Sequence, residues 1–110
     1  MKIVLTNDIE KFLDGRYPCL RKASEIIYEM AGVSLNEMRS DKRLSVYTEA
    51  RMLFFALCEN EVFPTYYIAS YLNRDHASAT YWKNLFCDRM DVDEYFKDFY
   101  LKLREELLKR

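Results

Sequence analysis

Apolar positions along this chain recur at helical spacing. In "PCLRKASEIIYEMAGVS" the residues Leu20, Ala23, Ile26, Ile27 and Met30 fall on one face, three or four residues apart. "TEARMLFFALCEN" does the same with Ala50, Leu53, Phe54, Leu57 and Cys58. "DVDEYFKDFYLKLREELLKR" aligns Val92, Tyr95, Phe96, Phe99, Leu103 and Leu107 in a broad aromatic face. Start and stop signals bound these runs. Gly32 suits a helix C-cap, and Ser34 with Glu37 makes a capping box for a short helix in "SLNEMRSDKR". Thr48 is the expected N-cap of the next helix, after the polar connector "RSDKRLS". Pro64 opens "FPTYYIASYLN" with Ile68 and Leu72 inward, and "HASATYWKNLFCDRM" follows as another helix. Residues 1–17 form a lead-in, in which "NDIEKFLDG" suits a short helix capped by Asn7 and stopped at Gly15. "MKIVLT" is the one strand-like stretch, and it has no partner strand.

The pattern predicts an all-α fold: a compact bundle of five to six helices over residues 18–110, preceded by the lead-in. Helices expected at 64–72 and 76–88, with a short turn between them, have the spacing of a helix-turn-helix.

Composition narrows the reading. Half of the 110 residues are hydrophobic and 15% are aromatic, enough for one core but not two. Two glycines and two prolines are few breakers, in keeping with helices. Seventeen basic residues face eighteen acidic ones, which excludes a globally basic nucleic-acid binder. Any such footprint must be local. Residues 39–52 carry such a bias: Arg39, Lys42, Arg43 and Arg51 against Asp41 and Glu49.

The scattered Cys19, Cys58 and Cys87 read as reduced thiols of a cytoplasmic protein. No run resembles a signal peptide, and none approaches the ~20 apolar residues of a membrane span. There is no phosphate-binding glycine loop, so nucleotide hydrolysis and an enzyme role are not expected. His76, the sole histidine, has no cysteine or second histidine at ligand spacing, so neither a metal nor a cofactor is expected. Its neighbour Asp75 does not face it on a helix, which argues against a catalytic pair. Asp75 is most simply a helix N-cap. Among the aromatic residues of this region, Trp82 should point inward, while Tyr66 and Tyr81 are the best placed for exposure.

Three segments carry a family resemblance. "NRDHASA" begins the second helix of the pair, "SDKRLSVYTEAR" lies upstream, and "EMAGVSLNEMRS" precedes both. Together they resemble the C-terminal DNA-binding domain of the bacterial replication initiator DnaA, over roughly residues 20 to 90. That family has a signature near Gly-Gly-Arg-Asp-His-Thr-Thr-Val at the start of its recognition helix, and the spacing from Ser40 through Arg43 to Arg51 fits it without a gap.

The resemblance implies sequence-specific binding of double-stranded DNA, in a replication-linked or regulatory role. Arg43 would enter the minor groove and Arg51 would hold phosphate. Asp75, His76, Ala77 and Ser78 would face the major groove, with Arg74 on the same positive face. Tyr66 stands where the family often has a proline near thymine methyls, and Lys42 is a phosphate contact by charge and location. The ATPase that precedes this domain in the family is not expected here. Five positions depart from the family: Ala77-Ser78 replaces the threonine pair, Asn73 replaces a glycine, Leu44 stands where a small polar residue is common, and Glu59 stands where a basic one can occur. These departures keep a second expectation open, a protein-interaction module that retains the fold without DNA binding. The face of the last helix would then supply a homodimer seam.

Overall fold

A computed structural model describes residues 4–110 of the chain. Among the described residues there are seven α-helices and no strand: α1 (Asn7–Arg16), α2 (Pro18–Ala31), α3 (Leu35–Arg39), α4 (Ser45–Cys58), α5 (Tyr66–Tyr71), α6 (His76–Val92) and α7 (Glu94–Lys109). The all-α bundle stands: α2 to α7 make six helices within residues 18–110, in the expected range, and the lead-in adds the short helix α1. Within "MKIVLT", Val4 to Thr6 have no regular structure, and Met1 to Ile3 lie outside the described residues.

α4 is the centre of the bundle. Every residue from Ala50 to Cys58 is buried, so this helix is covered on all sides rather than on one stripe. α2 packs on it with Leu20, Ala23, Ile26 and Ile27 turned inward, and Met30 falls outside that face. α7 closes another side through Phe96, Tyr100 and Leu103. The rings of Phe96 and Tyr100 meet Phe86 of α6 edge-on, with centroids 5.8 and 4.8 Å away. The apolar face expected along α7 is narrower than its sequence suggested: Val92 is 82% exposed and Tyr95 89%.

The helix ends follow local chemistry in most places. Gly32 ends α2 at φ 76°, a left-handed conformation that costs glycine little. Ser34 and Glu37 form the reciprocal capping box: the Ser34 hydroxyl accepts from the Glu37 amide at 3.1 Å, and the Glu37 carboxylate accepts from the Ser34 amide at 2.9 Å. Two caps differ from expectation. The hydroxyl of Thr6, not Asn7, accepts from the Ile9 amide at 3.2 Å. α1 also continues through Gly15 to Arg16 and ends because Tyr17 precedes a proline. α4 starts at Ser45, three residues before Thr48, with Leu44 as a cap that lends no side chain. Its first turn is tied to α3 by the Tyr47 hydroxyl, which donates to Glu37 at 2.6 Å.

The lead-in is part of the same core. Leu13 is fully buried, and the polar side of α1 enters an ionic cluster. Arg21 donates to Glu10 at 2.8 Å and to Asp14 at 2.9 Å, while Arg39 reaches Glu10 at 3.2 Å. The fully buried Tyr71 sits among them. Its hydroxyl donates to Asp14 at 2.7 Å, and its ring lies 4.8 Å from the Arg39 guanidinium and stacks on Phe54 at 6.0 Å. α1, α2, α3, α4 and α5 are thereby pinned around one aromatic ring. No helix among the described residues is long and apolar enough to cross a membrane. Cys19 and Cys58 are buried, Cys87 is exposed, and all three thiols are free.

Candidate nucleic-acid interface

Two segments distant in sequence converge on one groove. The first is the turn from Leu72 to Asp75 with the start of α6. Asn73 takes φ 59°, the left-handed conformation that asparagine tolerates better than other side chains. The Arg74 amide then donates back to the Ala69 carbonyl at 2.8 Å, which closes the end of α5. Asp75 is extended and caps α6, its Oδ1 accepting from the Ser78 amide at 3.2 Å and from the Ser78 hydroxyl at 3.3 Å. Ala79 and Trp82 turn inward from α6. Asp75, His76 and Ala77 are therefore left on the exposed tip of the helix.

The second segment is the wing between α3 and α4. Asp41, Lys42, Arg43 and Leu44 are all exposed on it. A groove of about 630 Å³ separates wing from tip. Arg43 of the wing and Thr48 of α4 line it together with Asn73 and Asp75 of the turn and Ser78 and Tyr81 of α6. The buried Arg51 and Trp82 also border it.

The candidate residues divide sharply in what they can offer a partner. Lys42 and Arg43 are exposed and, among the described residues, form no ion pair. Arg51, expected at a phosphate, is only 4% exposed. Its Nε donates to the Met38 carbonyl at 2.8 Å, and its Nη2 donates to the carbonyls of Ser40 at 2.9 Å and Lys42 at 3.0 Å. Burial, aided by repulsion from Arg74, pushes its pKa below the ordinary arginine value. The Arg51 guanidinium is thus engaged by main-chain carbonyls, at a position that also borders the groove. Arg74 is partly buried and shares the same target, with Nη2 on the Ser40 carbonyl and Nη1 on the Arg39 carbonyl at 3.3 Å.

Tyr66 is half-buried, its ring edge-on to His76 at 6.4 Å and to Tyr67 at 5.0 Å. It therefore flanks the tip rather than the groove. Tyr81 is 58% exposed and Trp82 is buried, in the order their spacing suggested. Asp41, Thr48 and Asn73 line the groove without having been singled out as candidates. Thr48 had a readable signal, since it precedes Arg51 by three residues and shares its helix face. In charge, the groove sets Arg43, Arg51 and Arg74 against Asp41 and Asp75, a mixed lining with a positive excess. Among the described residues no cluster of metal-ligating side chains surrounds His76.

The cap role of Asp75 is separable from any contact to a partner. Asp75→Ala should lower stability by about 1 kcal/mol, because the Ser78 amide loses its acceptor. Asp75→Asn should leave the thermal midpoint within a degree or two, since asparagine caps equally well. Parallel melts followed by circular dichroism check both. Comparison of the chain with protein-family models, curated proteins and solved structures found no match in any of the three.

Proposed function

We propose that the chain binds double-stranded DNA, with the tip of α6 in the major groove and Arg43 in the adjacent minor groove. α5, the four-residue turn and α6 act as the helix-turn-helix of this reading. One observation carries it: Asp75, at the start of the exposed 75–77 tip, and the exposed Arg43, which forms no ion pair among the described residues, line a single groove. The chemistry of the tip suits base edges. A carboxylate accepts from a cytosine amino group, and an alanine methyl packs on thymine. Arg43 suits a narrow minor groove, where the negative potential is focused. The role is replication-linked or regulatory, in the cytoplasm, and independent of nucleotide hydrolysis by this chain.

Selection of bound duplexes from a random pool, followed by fluorescence anisotropy on the winner, tests the proposal. With Lys42 and Arg43 as the exposed cations of the wing, the salt dependence should be shallow, with a slope of about −2 in log–log form. Arg43→Ala should weaken binding roughly tenfold or more and reduce that slope by about one. His76→Ala should cost about 1–3 kcal/mol of affinity and relax base preference at one position. If no duplex is retained even at ~50 mM salt, where phosphate contacts are strongest, the proposal fails.

A second reading has its own observation. Val92 and Tyr95 stand out at the α6–α7 corner, 82% and 89% exposed. They favour a protein-interaction module that self-associates there. Sedimentation equilibrium would detect a dimer, and Tyr95→Lys should disperse it.

A further inference from the structure

The wing is held in an unusual way. Among the described residues, 41 to 43 make no backbone–backbone hydrogen bond. The carbonyls around them are instead met by guanidinium groups from two other elements. Arg51, rooted in the central helix, spans the carbonyls of Met38, Ser40 and Lys42. Arg74, in the turn that leads into α6, takes the carbonyls of Arg39 and Ser40. Both converge on the Ser40 oxygen. A carbonyl has two lone pairs and can accept twice, but among the described residues no carboxylate is paired with either arginine. Two like charges are therefore held together solely by main-chain acceptors.

We infer that Arg51 and Arg74 form a brace on the Ser40 carbonyl that fixes the Lys42–Arg43 wing relative to the tip of α6, so that the two present themselves as one preorganised unit. Both arginines are positioning residues rather than ligands of a partner. The inference rests on the DNA reading for its purpose, although the brace itself exists in the free chain. Its logic is that of preorganisation: a wing fixed beforehand does not lose its freedom on binding. Arginine is required because its planar fork reaches several acceptors at once, whereas lysine offers a compact point charge.

Two measurements test this on the full chain. The first needs no DNA. Limited trypsin digestion is followed at Lys42 and Arg43, with Lys109 near the end of α7 as an internal reference. Arg74→Gln and Arg51→Lys should each speed cleavage at the wing several-fold and leave Lys109 unchanged. Arg74 is only partly buried, so its variant should keep the fold, as a thermal melt would verify, and it decides the matter if the Arg51 variant unfolds. Unchanged wing cleavage in a folded Arg74→Gln variant overturns the brace.

The second is a double-mutant cycle on the selected duplex. Arg74→Gln alone should weaken binding with the salt slope of the parent. Arg43→Ala should cost several-fold less in the Arg74→Gln background than in the parent, because an unpositioned Arg43 has little left to lose. Additive losses, with the slope reduced by about one in Arg74→Gln, mean direct phosphate contact and overturn the positioning role. If the parent binds no duplex, the DNA reading falls and the digestion alone decides the brace.

Discussion

Tyr71→Ala should lower the stability of the chain by about 3–5 kcal/mol, the range for truncating a buried aromatic ring. Small domains have only about 5–15 kcal/mol in total, so the melting midpoint should fall by roughly 15 °C or more. The effect is large because of what the ring joins. It stacks on Phe54 of the central helix, lies beside the guanidinium groups of Arg21 and Arg39, and donates to Asp14 of α1. Its removal leaves a cavity and loosens the ionic cluster that ties α1 and α3 to the bundle.

Tyr71→Phe isolates the hydroxyl and should cost about 1 kcal/mol at neutral pH. The same variant has a signature in alkali. Burial, reinforced by the hydrogen bond to Asp14, raises the pKa of Tyr71 above that of a free tyrosine. The folded state then keeps a proton that the unfolded chain releases near about pH 10. Stability from this source is fully present below that pH and is lost as pH rises above it, because the folded state binds more protons than the unfolded one. Burial raises Tyr100 in the same direction. Urea titrations at pH 7 and in mild alkali should show a loss of stability that is smaller in Tyr71→Phe. Equal losses in the variant and the parent would rule Tyr71 out as a source.

Trp82→Ala is the second large effect, again about 3–5 kcal/mol. Trp82 is 3% exposed and turns inward from α6, the helix whose tip bears His76. It also borders the groove between wing and tip. Losing it removes both packing and the placement of the tip, so stability and binding of any groove partner should fall together. His76→Ala provides the contrast, because His76 is exposed and its loss should change stability by less than about 0.5 kcal/mol. As the sole tryptophan, Trp82 also gives a direct readout: its emission should be blue-shifted in the folded chain and should respond to occupation of the groove.

Much of this architecture is local and therefore readable along the chain. The C-cap at Gly32, the Ser34–Glu37 box and the Asp75 cap each join groups within three or four residues. The left-handed Asn73 follows from its own side chain. Reading failed where equivalent donors and acceptors lay close together, or where a distant partner chose between them. Thr6 and Asn7 both suit a cap, and only the path of the chain separates them. Thr48 looked like the start of α4, but a bond from Tyr47 to Glu37 secures a turn three residues earlier.

The fate of the arginines lay further out of reach. Nothing near Arg43, Arg51 or Arg74 in the chain says which is spent on carbonyls and which is left free. Periodicity and capping establish an all-helical bundle, its inward faces and the helix that begins at His76, because these depend on neighbours a few residues away. Burial of Arg51, the joint hold of two guanidinium groups on Ser40 and the groove that Arg43 shares with Asp75 arise from segments nine to thirty-five residues apart. A charged side chain goes wherever acceptors happen to converge, and that convergence exists only after the helices have packed.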